Sequence, residues 1–127
     1  GAVHGLAAVL GGKYPVPHGA ICARLLPHVM RTNMAQLSVT TDLGIYLERY
    51  EEVGCLLLGR GYTKLDDSTQ FVEKLVSEFE IPGLSNYGIP EEDFPHIATL
   101  ALKTSSMKGN PVPLTEGELL NILMEAR

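Results

Sequence analysis

Apolar side chains recur along the chain in blocks separated by glycine- and proline-rich breaks, and the spacing inside each block is helical. Residues 1–10 (GAVHGLAAVL) are small and apolar and read as a tightly packed helix or the end of one. A breaker-rich loop is expected from Gly11 to Gly19. Pro17 is placed to open the next helix, because its fixed φ suits a first turn and its missing N–H is not needed there. From His18 to about Leu37, Ala20, Ala23, Leu26, Met30 and Met34 lie close to one helical face, and Pro27 predicts a kink or a break.

Ser38 to Asp42 form a polar break with several N-cap residues. Leu43, Tyr46, Leu47, Tyr50, Val53, Cys55, Leu56 and Leu57 then recur largely at three- and four-residue steps, predicting a third helix with one buried face. Gly59 or Gly61 closes it. Asp66 or Asp67 caps a fourth helix with Phe71, Leu75, Val76 and Phe79 inward, and Ile81-Pro82-Gly83 ends it. After a turn around Leu84 to Gly88, the acids of Pro90-Glu91-Glu92-Asp93 face the positive dipole end of a helix over 91–104. Ser105 to Leu114 read as a loop. Thr115 followed by Glu118 is a capping box for a last helix over 116–126. Five or six helices, no convincing strand alternation and no internal repeat make the class all-α.

Composition narrows the picture. The 127 residues, 45% hydrophobic and 20% charged, suit a single domain over 1–127 with a core of its own. The net charge is −5, and the lysines and arginines form no run, so the clustered cations that displace counterions from phosphates are missing and no nucleic-acid partner is expected. No stretch approaches the ~20 apolar residues that span a bilayer, and Gly1-Ala2-Val3-His4 shows no signal-peptide pattern. Cys22 and Cys55 sit inside apolar helical patterns without close spacing, and read as small buried hydrophobes rather than as a disulfide or metal pair. These features together predict a cytoplasmic protein.

Among His4, His18, His28 and His96, only His4 and His18 have a suggestive placement. One lies on a helix and the other just after a glycine-rich reversal, so both rings could be aimed at one cation, for which neutral imidazole keeps a lone pair. Spacing alone leaves open the plainer outcome of one buried histidine and one surface cap. His28, after Pro27, reads as structural, and His96 as a surface helix residue.

The stretch from His4 through Leu10-Gly11-Gly12, Tyr14 and Pro17-His18-Gly19 resembles the signature of iron-containing (group III) alcohol dehydrogenases. The resemblance continues through Leu25-Leu26-Pro27-His28-Val29, Asn33, Arg49-Tyr50-Glu51-Glu52-Val53, Pro90 to Asp93, Asn110-Pro111 and Leu114-Thr115. It implies the helical C-terminal domain of a two-domain, dehydroquinate synthase-like enzyme, here expected to lack the N-terminal domain that holds NAD or NADP. It further implies one divalent metal, Fe2+ or Zn2+, held by an Asp and a His lying upstream of Gly1 together with two further histidines, which carry over to His4 and His18. The implied reaction is hydride transfer between a small alcohol or aldehyde and the nicotinamide, with the metal as Lewis acid on the alcohol oxygen.

Many members place a second histidine one helical turn after the first of these ligands, but here that position is Ala8, which cannot relay protons. Tyr14 could line the substrate cleft or pack the loop onto the core. Lys108 to Pro111 is read as a loop that shapes the domain. The isolated chain is expected to be inactive, and a homo-oligomer is one expectation for the truncated cleft wall. The alternatives are a non-catalytic helical scaffold domain and a maleylacetate reductase or glycerol dehydrogenase-like relative.

Overall fold

The computed structural model describes residues 1–40 and 44–127. The N-cap candidates Thr41 and Asp42 and the apolar Leu43 lie outside the described residues. Among the described residues the chain forms six α-helices and no strand: α1 (Ala2–Lys13), α2 (His18–Ser38), α3 (Gly44–Leu58), α4 (Asp67–Glu78), α5 (Phe94–Leu102) and α6 (Glu116–Glu125). Short 3-10 turns occupy Leu84–Tyr87, Glu91–Asp93 and Ser105–Gly109. The all-α class expected from the pattern is the one observed.

The long helix α2 is the central strut, touching α1, α3, α4 and α6. Its buried apolar residues include Ile21, Leu25, Val29, Met30, Met34 and Leu37. Of these, Ile21, Leu25, Val29 and Leu37 join Leu6 and Leu10 of α1, Phe94 and Ile97 of α5, and Leu119, Ile122 and Leu123 of α6 in one core. The face read from Ala20, Ala23 and Leu26 is rotated away from this core, with both alanines half-buried and Leu26 exposed. A helix with neighbours on several sides has more than one apolar stripe, and periodicity does not rank them. Pro27 is buried inside α2 and does not break it.

Element ends differ from the pattern for local reasons. Helix α1 runs through Gly11 and Gly12 to Lys13, and the Tyr14 N–H still reaches the Leu10 carbonyl at 2.8 Å. The stop comes at Tyr14, which precedes Pro15 and is therefore pushed to an extended conformation (φ −128, ψ 148). Pro17 stands one position earlier than expected, as the N-cap of α2, with its carbonyl accepting from Ile21 N–H at 3.1 Å. Gly59, at φ +63, closes α3, where a left-handed backbone is needed. Helix α5 begins at Phe94 rather than 91, because Pro95 belongs in a first turn and the acids before it form their own 3-10 turn. The capping box of α6 is present: Thr115 Oγ1 accepts from Glu118 N–H, and Glu118 Oε2 accepts from Thr115 N–H at 2.6 Å.

The largest departure is α3. Only Gly54 is fully buried, while Val53, Leu56 and Leu57 are exposed and Tyr46, Leu47, Tyr50 and Cys55 are half-buried. Helix α3 packs on α4 and on α2 at the edge of the bundle, and no described element covers its outer side. Phe79, expected inward, is 70% exposed. Glu80 takes a positive φ of 51 there and turns the chain, so that Ile81 N–H returns to the Val76 carbonyl at 3.0 Å.

Candidate metal centre

Four contacts fix the α1–α2 reversal on which the two histidines sit. At the start of α1, Asn110 Oδ1 accepts the Ala2 N–H at 3.0 Å. One turn later Gly5 passes so close to the Ser105–Gly109 turn that a Cβ there would lie 2.8 Å from the end of Met107 and 3.0 Å from Thr104 Oγ1. At the far end Lys13 Nζ pairs with Asp93 at 2.6 Å, and the Tyr14 hydroxyl donates to the same carboxylate. The Lys13 ammonium, then the Tyr14 hydroxyl, hold the Asp93 carboxyl below its usual range. Ala2, Leu6 and Leu10 face the core, which leaves His4 on the solvent side of α1.

His18 is the first residue of α2, brought back beside α1 by the Tyr14–Pro17 loop. The two ring centroids are 5.6 Å apart with planes inclined at 50°. A third side chain joins them. Cys22 lies one turn along α2 from His18, on the same face, with Sγ 3.4 Å from His18 Nε2. The nitrogen donors of His4 and His18 and the Cys22 sulfur all lie within 4.8 Å of one another. Both histidines are exposed and Cys22 is half-buried, and burial pushes its thiol pKa up.

Beside this cluster a cleft of about 390 Å3 is lined by His4, Cys22, Leu26, Met30, Tyr50 and Asn110, among others. Its polar side is a part-buried network. Asn110 Nδ2 donates to Asn33 Oδ1 at 2.7 Å and to the Val112 carbonyl at 2.8 Å. Asn33 Nδ2 donates in turn to the Tyr50 hydroxyl at 3.3 Å. Burial raises the Tyr50 pKa against the smaller opposing effect of the Asn33 amide.

An apolar cleft with a convergent donor cluster at its rim is the usual form of a small-molecule site. The Fe-containing alcohol dehydrogenase C-terminal family model matches residues 1–127. The chain belongs to the C-terminal family of Fe-containing alcohol dehydrogenases. It is 32% identical to 1,3-propanediol dehydrogenase of Citrobacter freundii over 131 residues, covering 99% of this chain and 32% of that protein. It is 31% identical to lactaldehyde reductase of Escherichia coli (strain K12) over 128 residues, covering 96% of this chain and 31% of that protein. A solved structure of 1,3-propanediol oxidoreductase superposes with a TM-score of 0.77 at 30% identity, over 100% of this chain and 32% of that one. The chain thus spans about a third of the length of these relatives.

Within this family domain, the structure brings His4 and His18 together and keeps the other histidines apart from them. His28 meets Glu125 at 3.1 Å on the α6 side, where burial, outweighing the carboxylate, lowers its pKa. His96 is exposed on α5. Ala8 is exposed one turn beyond His4 and borders a separate depression with Lys13, Lys103 and Thr104. The Tyr14 hydroxyl is engaged on Asp93. Three cleft residues escaped the sequence reading as site residues: Cys22, Tyr50 and Asn110. For Cys22 a signal was present, since His18-x-x-x-Cys22 is the i, i+4 spacing that sets two ligands on one helical face. Tyr50 and Asn110 carry no comparable local signal. Among the described residues no helix is long and apolar enough to cross a membrane.

Proposed function

We propose that His4 and His18 hold one divalent cation at the mouth of the Leu26–Tyr50 cleft, and that the domain serves a metal- and NAD(P)-dependent alcohol dehydrogenase acting on small alcohols or aldehydes. The observation that carries this reading is the convergence of the His4, His18 and Cys22 donor atoms within 4.8 Å. Nitrogen and sulfur donors at such separations suit a borderline cation, whether iron or zinc. The named relatives act on a diol and on a hydroxyaldehyde, which supports a small oxygenated substrate.

When bound, the cation supplies Lewis acidity that lowers the pKa of an alcohol hydroxyl. The chain's own residues bind, orient and exclude water. His4 and His18 present imidazole nitrogens from two separately anchored helices, so their mutual geometry is set before anything binds. Leu26 and Met30 give the cleft an apolar wall that disfavours water. Ala8, one turn beyond His4, moves no proton and borders a depression separate from the cleft. Tyr14 serves as a strut for the loop.

The nicotinamide cofactor does not fit these residues. Among the described residues there is no strand and no glycine-rich strand-to-helix turn to cradle a pyrophosphate. A nicotinamide cofactor would have to be cradled by residues other than the described ones.

The test is metal dependence in the intact protein that contains this sequence. With a short diol and NAD or NADP, reduction of the nicotinamide should vanish after chelation and return on adding Fe2+ or Zn2+. Undiminished activity in protein stripped of metal would contradict the proposal.

A further inference from the structure

Helix α3 carries two distinct faces. Tyr46, Leu47 and Tyr50 pack against the core, whereas Ile45, Arg49, Glu52 and Leu56 are all exposed. The steps between these four are four, three and four residues, so they stand in one row along the outside of the helix. Ile45 is 57% and Leu56 77% exposed. Single exposed apolar residues are ordinary on a protein surface. Two of them closing the ends of one row, around a cation and an anion, make a pattern that a partner can read.

The order along the row is apolar, cation, anion, apolar, and the reversed row is its complement. Two copies of α3 laid antiparallel, about a two-fold axis midway between Tyr50 and Glu51, set Ile45 against the second copy's Leu56. The same operation sets Arg49 against the second copy's Glu52, and each contact occurs twice, as an isologous interface requires. Among the described residues neither Arg49 nor Glu52 makes an ion pair within its own chain. The Arg49 guanidinium lies over the Tyr46 ring at 5.7 Å, which narrows its rotamers before any partner arrives.

We propose that the outer face of α3 is an interface with a second copy of this chain, the two helices antiparallel, with Ile45 on Leu56 and Arg49 on Glu52 across the two-fold axis. Charge complementarity selects the partner: a purely apolar groove would reject the central ion pair, and a surface of one sign would oppose one of its members. With 15 residues in α3, each helix is about 22 Å long. A contact of one helix pair is small for a permanent complex, so the association depends on protein concentration.

Sedimentation velocity over a concentration series, on the intact protein that contains this sequence, reads the assembly. Arg49→Glu sets carboxylate against carboxylate twice and should weaken the association by roughly 100-fold. Glu52→Arg should weaken it equally, by setting cation against cation. The variant carrying both exchanges restores two opposite-charge pairs and should recover the association, which a folding defect would not allow. Where other surfaces also hold copies together, each single reversal should still remove one two-fold step of the assembly. Placement is read by Ile45→Cys combined with Leu56→Cys in a Cys55→Ala background. Within one helix those sulfurs stand roughly 16 Å apart, beyond disulfide reach, so mild oxidation should yield a covalent dimer. Assembly that ignores both single reversals would overturn the proposal, and so would a double exchange no better than either single change. An uncrosslinked cysteine pair, or an intact protein that stays monomeric because another part of it covers α3, would overturn it as well.

Discussion

Replacing His18 by alanine is expected to lower kcat/KM for a small alcohol by roughly three orders of magnitude in the intact protein, the scale of several kcal/mol of Lewis-acid assistance. Metal content measured on the same preparation should fall with it. The loss should exceed that of other single changes around the cleft, because His18 sits at the junction of the donor group. Its ring is beside His4 on one side and beside Cys22 on the other. Removing it leaves only His4 and Cys22 of that group. Nothing in the core depends on His18: it is exposed at the first position of α2, and the N-cap carbonyl of Pro17 is untouched. Thermal stability of the metal-free protein should therefore stay near the unmodified value. A fully metallated and active His18→Ala protein would refute the role.

Asn110→Ala is expected to have the largest effect on folding, about 3 kcal/mol, measured from the shift in a urea unfolding midpoint. One amide there ties four segments together. It accepts the Ala2 N–H that opens α1, donates to Asn33 on α2 and to its own loop at Val112, and through Asn33 reaches Tyr50 on α3. Asn33 is only 3% exposed, so truncating its partner strands a buried polar group whose desolvation is then uncompensated. The same change frees the start of α1 at Ala2, two residues from His4. Metal affinity should accordingly fall by about tenfold even though no ligand is removed, as for other residues that orient ligands. A stability change under 1 kcal/mol would mean that the network is not what anchors α1.

How much of this was legible in the chain differs from one feature to the next. The α6 start was readable because Thr115 and Glu118 satisfy each other locally, three residues apart, whatever surrounds them. The all-α class followed equally from spacing. The burial of α3 did not follow, since Leu56 and Val53 declare an apolar face but not whether another element covers it. Helix α1 persisted through Gly11-Gly12 because its Leu6 and Leu10 side is held in the core, so packing overrode two poor helix formers. At the site, the His4 and His18 pair came from the family resemblance and not from their separation in sequence. Cys22 was passed over because its neighbours Ile21 and Leu25 make it look like one more core residue. Asn110 is 77 residues from Asn33, and no local pattern announces a contact of that range.

The central claim is that two imidazoles from either side of the reversal share one cation. It is tested most directly by following the four histidine ring resonances by NMR while Zn2+ is added to the protein. His4 and His18 should move together and saturate at one ion per chain, while His28, paired with Glu125, and His96, exposed on α5, keep their positions. Independent shifts of His4 and His18 at different zinc ratios, or a shift in only one of them, would contradict a shared site.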